Sequence, residues 1–209
     1  MTSREKILTQ VRTNKPAAVS LPENVNFASV LPAERLNLFV KSFQGAGGVA
    51  ALAPDLATVG QQLQNLFDKP ERILNTIPQV NYGLAPTDAI AAGHILAHLE
   101  IAIVIGSLGV AENGAIWVTS ENIPTRVLPF ICEHLVLVLP ASKIVGTMHE
   151  AYALLPTTFP DYGVFIAGPS RTADIEQSLV IGAHGPKRAH LFILDDNLPE
   201  QMGTTTVNS

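Results

Sequence analysis

Apolar and polar positions along this chain fall into two kinds of block. Helical spacing over residues 33–44 puts Leu36, Phe39, Val40 and Phe43 on one face, with Gly45 just past the end. Short apolar runs at 47–52, 72–75, 101–105, 115–119, 135–139, 163–167 and 189–194 predict strands, and Pro140 ends the fifth of them. Between the runs, Pro54 and Asp55 start a helix to residue 67, and Thr87 caps another over 88–99. Further helices are expected at 1–13, 126–132, 147–155 and 171–183, and a loop at 107–113. Residues 14–30 hold Pro and Asn without a period and read as an arm. Strands alternating with helices predict an α/β fold, a single Rossmann-like sandwich with a mainly parallel sheet. The expected organisation is a helix and arm over 1–32, one domain over 33–197, and a frayed tail over 198–209.

Composition sharpens that picture. The chain has 209 residues, 47% hydrophobic and 15% charged. A sheet covered on both faces accounts for part of the apolar excess, and the remainder predicts a partner surface. A net charge of −5 without a Lys/Arg cluster argues against a nucleic-acid interface. The opening residues lead into an amphipathic segment, not a signal peptide, and the run at 101–111 is too short and glycine-rich to span a bilayer. A cytoplasmic protein is expected. Cys132 is the one cysteine, so no internal disulfide forms and cysteines of this chain alone hold no iron–sulfur cluster. It reads as a small core residue.

Three motifs carry the candidate chemistry. Gly168-Pro169-Ser170-Arg171-Thr172-Ala173-Asp174-Ile175-Glu176 follows a predicted strand. There Ser170 or Thr172 would cap a helix, and Arg171 would pair with Asp174 or hold a ligand at the carboxyl edge of the sheet. Asp174 and Glu176 already complement a positive helix end, so a carboxylate on Arg171 fits better than a phosphate. His184-Gly185-Pro186 reads as a helix stop, with His184 also an acid/base candidate. Glu112-Asn113-Gly114 is either an ordinary turn or a carboxylate beside a glycine that admits a substrate. His94 and His98 would share a helix face, but nothing completes a metal ligand set. No dinucleotide or Walker-type glycine motif is present.

The segment from Gly168, the His184-Gly185-Pro186 turn and the run Ala189-His190-Leu191-Phe192-Ile193-Leu194-Asp195-Asp196 together resemble the C-terminal signature of the lactate-utilisation (LUD) domain family. The similarity is to its protein C type. Upstream, Ala111-Glu112-Asn113-Gly114-Ala115-Ile116 resembles that family's Ala-Glu-Thr-Gly segment, with Asn113 where Thr is usual. The resemblance implies the superfold of ribose-5-phosphate isomerases and CoA-transferases. In CoA-transferase β-subunits a Ser-Glu-Asn-Gly motif supplies a nucleophilic carboxylate, which makes Glu112 the catalytic candidate. The ligand-binding candidates are Asn113, Gly114, Gly168, Ser170, Arg171, Thr172, Asp174 and His184. Glu112 and Arg171 are expected to line one cleft, each following a strand of the parallel sheet.

The function implied is that of a non-redox subunit in a cytoplasmic L-lactate utilisation system that oxidises lactate to pyruvate. It would bind a small carboxylate, the iron–sulfur partner subunits, or both. No cofactor or metal is expected in this chain; the iron–sulfur clusters belong to the partners, and a homo-oligomer stays open. The alternative is an autonomous CoA-transferase-like or sugar-phosphate isomerase-like enzyme working through Glu112.

Overall fold

The computed structural model describes residues 2–20, 29–87, 94–155, 161–172 and 180–195. At its centre five parallel strands, β1 (Val49–Ala53), β2 (Ile73–Asn75), β3 (Ile101–Ile105), β6 (His134–Pro140) and β11 (Arg188–Leu194), lie in the order β1-β11-β6-β3-β2. In the middle strand, Leu137 sits between Leu191 and Val104. Strand alternation sorts the side chains onto two faces. Leu135, Leu137 and Leu139 join Ala102, Val104, Leu191 and Ile193 in one core, while Val136 and Val138 join Ile101, Ile103 and Phe192 in the other.

Each face has its own cover. Helix α3 (Leu56–Leu66) packs Val59 and Leu63 on the second face. Asp55 starts this helix: the Thr58 N–H donates to its Oδ1 at 2.7 Å, which holds the carboxyl below its usual range. Helix α2 (Pro32–Gly45) covers the first face with Phe39 and Phe43, both fully buried. Each ring contributes about 2–3 kcal/mol by leaving water. Beside α2 lies a second sheet of β4 (Leu108–Val110), β5 (Ala115–Thr119), β7 (Ile144–Val145) and β8 (Gly163–Ile166), ordered β7-β4-β5-β8. Its β4–β5 and β5–β8 pairs are antiparallel and β4–β7 is parallel. Ile116 and Val118 of β5 point into the main core. Trp117 points away and stacks near Phe165, under helix α5 (Met148–Leu154).

The α/β fold with a mainly parallel sheet matches the expectation, and the second sheet adds to it. Residues 107–113 are not all loop: β4 lies among them, because pairing to β5 and β7 overrides a glycine-containing sequence. Of the helix expected over 88–99, residues 88–93 lie outside the described residues, and His94–His98 form a 3-10 helix. The helix expected over 171–183 is absent at both of its ends. There β9 (Arg171–Thr172) and β10 (Val180–Ile181) form an antiparallel pair, while 173–179, with Asp174 and Glu176, lie outside the described residues. Two further α-helices are α1 (Ser3–Thr13) and the short α4 (Leu128–Ile131), and 3-10 turns stand at Pro70–Arg72 and Ala141–Lys143. Among the described residues no helix is long and apolar enough to cross a membrane.

Candidate functional site

Glu112, Asn113 and Gly114 form the tip of the β4–β5 hairpin. Asn113 shapes it, its Oδ1 accepting from the Ala115 N–H at 2.9 Å, while the Gly114 N–H donates to the Val110 carbonyl at 2.9 Å. Gly114 has φ +70, a region that favours glycine. A Cβ there would lie 2.7 Å from Phe43 Cα, so the missing side chain admits the backbone of α2. Of the two readings the sequence leaves open here, the Asn-Gly turn is present, and its glycine also packs against α2. Glu112 itself is exposed. Its Oε1 accepts from the Met148 N–H at 2.9 Å, in the first turn of α5, and Ser42 Oγ lies 3.5 Å from its carbonyl. A carboxylate at a helix N-terminus satisfies a free donor and complements the helix dipole.

The second motif leaves β8 and turns at Gly168. Gly168 and Pro169 are buried, and a Cβ on Gly168 would lie 2.9 Å from the Ala46 carbonyl oxygen. The Ser170 N–H donates to the Pro186 carbonyl at 2.9 Å, and the Gly182 N–H donates to the Ser170 carbonyl at 3.0 Å. Arg171 and Thr172 therefore stand in a strand pairing, so Ser170 occupies no helix N-cap. Likewise His184-Gly185-Pro186 ends no helix; it forms the bend that leads from β10 into β11. Arg171 is exposed and its guanidinium lies over Gly47 (φ +93), where a Cβ would collide with it. It thus stands beside the carbonyl end of α2, where a cation is favoured.

Both distant motifs therefore meet one helix end. Glu112 and Gly114 border Ser42 and Phe43, and Gly168 and Arg171 border Ala46 and Gly47. This place differs from the expected one. Gly47 precedes β1 and Pro186 precedes β11, so the Ser170–Arg171 turn lies at the amino edge of the parallel sheet. Glu112 follows a strand of the other sheet. The rule that ligands gather at carboxyl edges applies to turns leaving parallel strands, and neither motif leaves one. The sequence reading takes Gly45 as a helix stop and Gly47 as a strand start; it assigns no role in the site to Gly45-Ala46-Gly47-Gly48, whose small residues let both motifs close on α2. That tract was the available signal.

At the same amino edge a groove of about 330 Å³ runs between Phe130–Glu133 and Gly182–Lys187, with exposed His184 on its wall. Lys187 and Glu133 pair across it at 3.1 Å. Cys132 is buried, as expected of a core residue, and burial pushes its thiol up to about 12, which keeps it unreactive. On the α3 face of that edge His134 and His190 stack at 5.7 Å between centroids, with Phe67 edge-on to both. Burial first, then the neighbouring His134 and Arg188, pushes His190 down to about 4; burial and Arg188 also lower His134. Among the described residues no three His, Cys, Asp or Glu side chains gather as metal ligands, and the His94 side chain lies outside them.

Known proteins align with this architecture. The family model of the LUD domain matches residues 44–194. The lactate utilization protein C of Geobacillus kaustophilus is 31% identical over 103 residues, covering 46% of this chain and 43% of that protein. A second, from Geobacillus sp., is 30% identical over 131 residues, covering 58% of this chain and 54% of its own length. The chain spans about half the length of the curated relatives it matches. The crystal structure of a DUF162 family protein from Deinococcus radiodurans superposes with a TM-score of 0.57 at 17% identity, covering 79% of this chain and 99% of that one. With most of its length matched by that model, and with the fold in agreement, the chain belongs to the LUD domain family.

Proposed function

We propose that this chain is a non-redox component of a cytoplasmic lactate-utilisation system, and that it binds a small carboxylate at the end of α2. The observation that carries the reading is the gathering of Glu112, Asn113, Gly168 and Arg171 around Ser42–Gly47, with the Arg171 guanidinium open to solvent. A guanidinium offers paired donors to a carboxylate. Relatives named for lactate utilisation support the substrate class. In this reading Ser170, Thr172 and His184 border the ligand, and Glu112 holds the α5 N-terminus in place through Met148. Electrons pass through iron–sulfur partner subunits, and this chain carries no cofactor of its own.

Titration of L-lactate and pyruvate by calorimetry onto wild type, Arg171→Ala and Arg171→Lys tests the site. The expected result is a folded Arg171→Ala protein whose carboxylate binding falls at least tenfold, with partial recovery in Arg171→Lys. Normal binding in Arg171→Ala combined with an early thermal melt would make the arginine a cap for α2 and sink the carboxylate site.

A further inference from the structure

The amino edge of the parallel sheet holds a pair of side chains that the carboxylate reading does not use. His134 opens β6, His190 lies on the neighbouring β11, and strand alternation puts both on the α3 face with Val136 and Phe192. Their ring planes differ by only 19°, the ring centres stand 5.7 Å apart, and His134 Nδ1 lies 3.5 Å from His190 Nε2. The difference between the two distances is close to two ring radii. The nitrogens therefore lie near the line joining the ring centres, and the rings meet nitrogen to nitrogen in nearly one plane. A direct hydrogen bond is weak at that length. A cation held between the two by bonds of about 2 Å needs a gap of about 4 Å, which small torsional changes supply.

We propose that His134 and His190 form a two-coordinate site for a soft monovalent cation with a filled d shell, of the Cu(I) class, which bridges β6 and β11. Two facing imidazoles suit an ion that prefers linear binding, whereas zinc takes four ligands. Among the described residues no third His, Cys, Asp or Glu donor joins the pair. The carboxylates that act on His134, Glu133 and Glu100, are engaged with Lys187 and Arg72. Phe67 lies edge-on to both rings and occupies space that further ligands would need. Arg188 stands on the same face of β11, and the cations Arg188 and Lys187 disfavour a divalent ion more than a monovalent one. Burial, with Arg188, also keeps both rings neutral at neutral pH, so no proton competes for their lone pairs. The bridge ties two neighbouring strands together and takes no part in electron transfer. It shares no residue with the Arg171 site, so either can fail without the other.

Competition against a coloured Cu(I) chelator, under argon with ascorbate, tests the site on full-length wild type, Cys132→Ala, His134→Gln and His190→Gln. The Cys132→Ala protein keeps the buried thiol out of the count. The expected results are one Cu(I) per chain in wild type and Cys132→Ala, at least tenfold weaker binding in each glutamine variant, and two nitrogen neighbours by X-ray absorption. Magnetic resonance of the histidine rings of wild type during titration with Ag(I) needs no variant. There His134 and His190 shift before His98, His149 and His184. Four results would each overturn the proposal: no copper held against the chelator, unchanged binding in either glutamine variant, three or more donors around the ion, or first shifts at other histidines.

Discussion

Strand β6 and the β9–β10 pair differ in what holds them. In β6 five consecutive side chains, Leu135 to Leu139, are buried on two faces and the strand is paired on both edges. In β9–β10 two pairs meet among the described residues, Val180 and Ile181 are exposed, and the anchoring bonds run to Pro186 and Ser170. The first is held by its own apolar content, the second by neighbours supplied from elsewhere in the chain. Structure that buries its own side chains is robust; structure borrowed from a helix end depends on that end.

Three comparisons break or sharpen this contrast. The largest effect belongs to Leu137→Ala, which removes a fully buried side chain from the central strand and lowers stability by about 3–4 kcal/mol in urea unfolding. Ile181→Ala, on exposed β10, stays within about 0.5 kcal/mol. Equal losses in the two would erase the distinction.

Next comes the borrowed contact. Gly114→Ala costs about 2 kcal/mol or more, because its φ is positive and the α2 backbone cannot withdraw. Gly47→Ala carries the same positive-φ strain but meets the flexible end of Arg171 instead of a backbone, so its cost is smaller and falls further in an Arg171→Ala background. Denaturant midpoints of the three single variants and the double variant check this; strict additivity would show that Arg171 does not rest on Gly47.

The third comparison is a pH dependence at the amino edge. His190 takes up its proton near pH 4 when folded and near 6.5 when unfolded, so the unfolded chain binds more protons between those values. Stability is therefore full above about pH 6.5 and declines as pH falls toward 4. The loss attributable to His190 is about 1–2 kcal/mol once its partial exposure is discounted. Unfolding midpoints of wild type and His190→Gln across that range measure it, and an unchanged slope in the variant would assign the acid sensitivity elsewhere.

Much of this fold is readable in one dimension. The apolar runs at β3, β5, β6 and β11, the spacing of Phe39 and Phe43 and the Thr147 start of α5 depend on neighbours a few residues away, which is the range over which periodicity and capping act. The motifs around Glu112 and Arg171 were visible as residues, and Cys132 as a core position. What the sequence could not decide was where those motifs go. Ser170, followed by Arg, Thr, Ala and Asp, looks locally like a helix start, yet its N–H is claimed by Pro186, sixteen positions away, and Arg171 joins a strand with Ile181. Glu112 and Arg171, 59 positions apart, border one helix end because Gly47 and Gly114 lack the side chains that would hold them off. Local propensity is a matter of tenths of a kcal/mol per residue, and long-range pairing and close packing outweigh it wherever the chain folds back on itself. So the sequence alone determined the main strands of the sheet, the helices α2 and α3, the core and the candidate chemistry, while only the tertiary structure decided the pairings of β4, β9 and β10 and the edge of the sheet at which that chemistry stands.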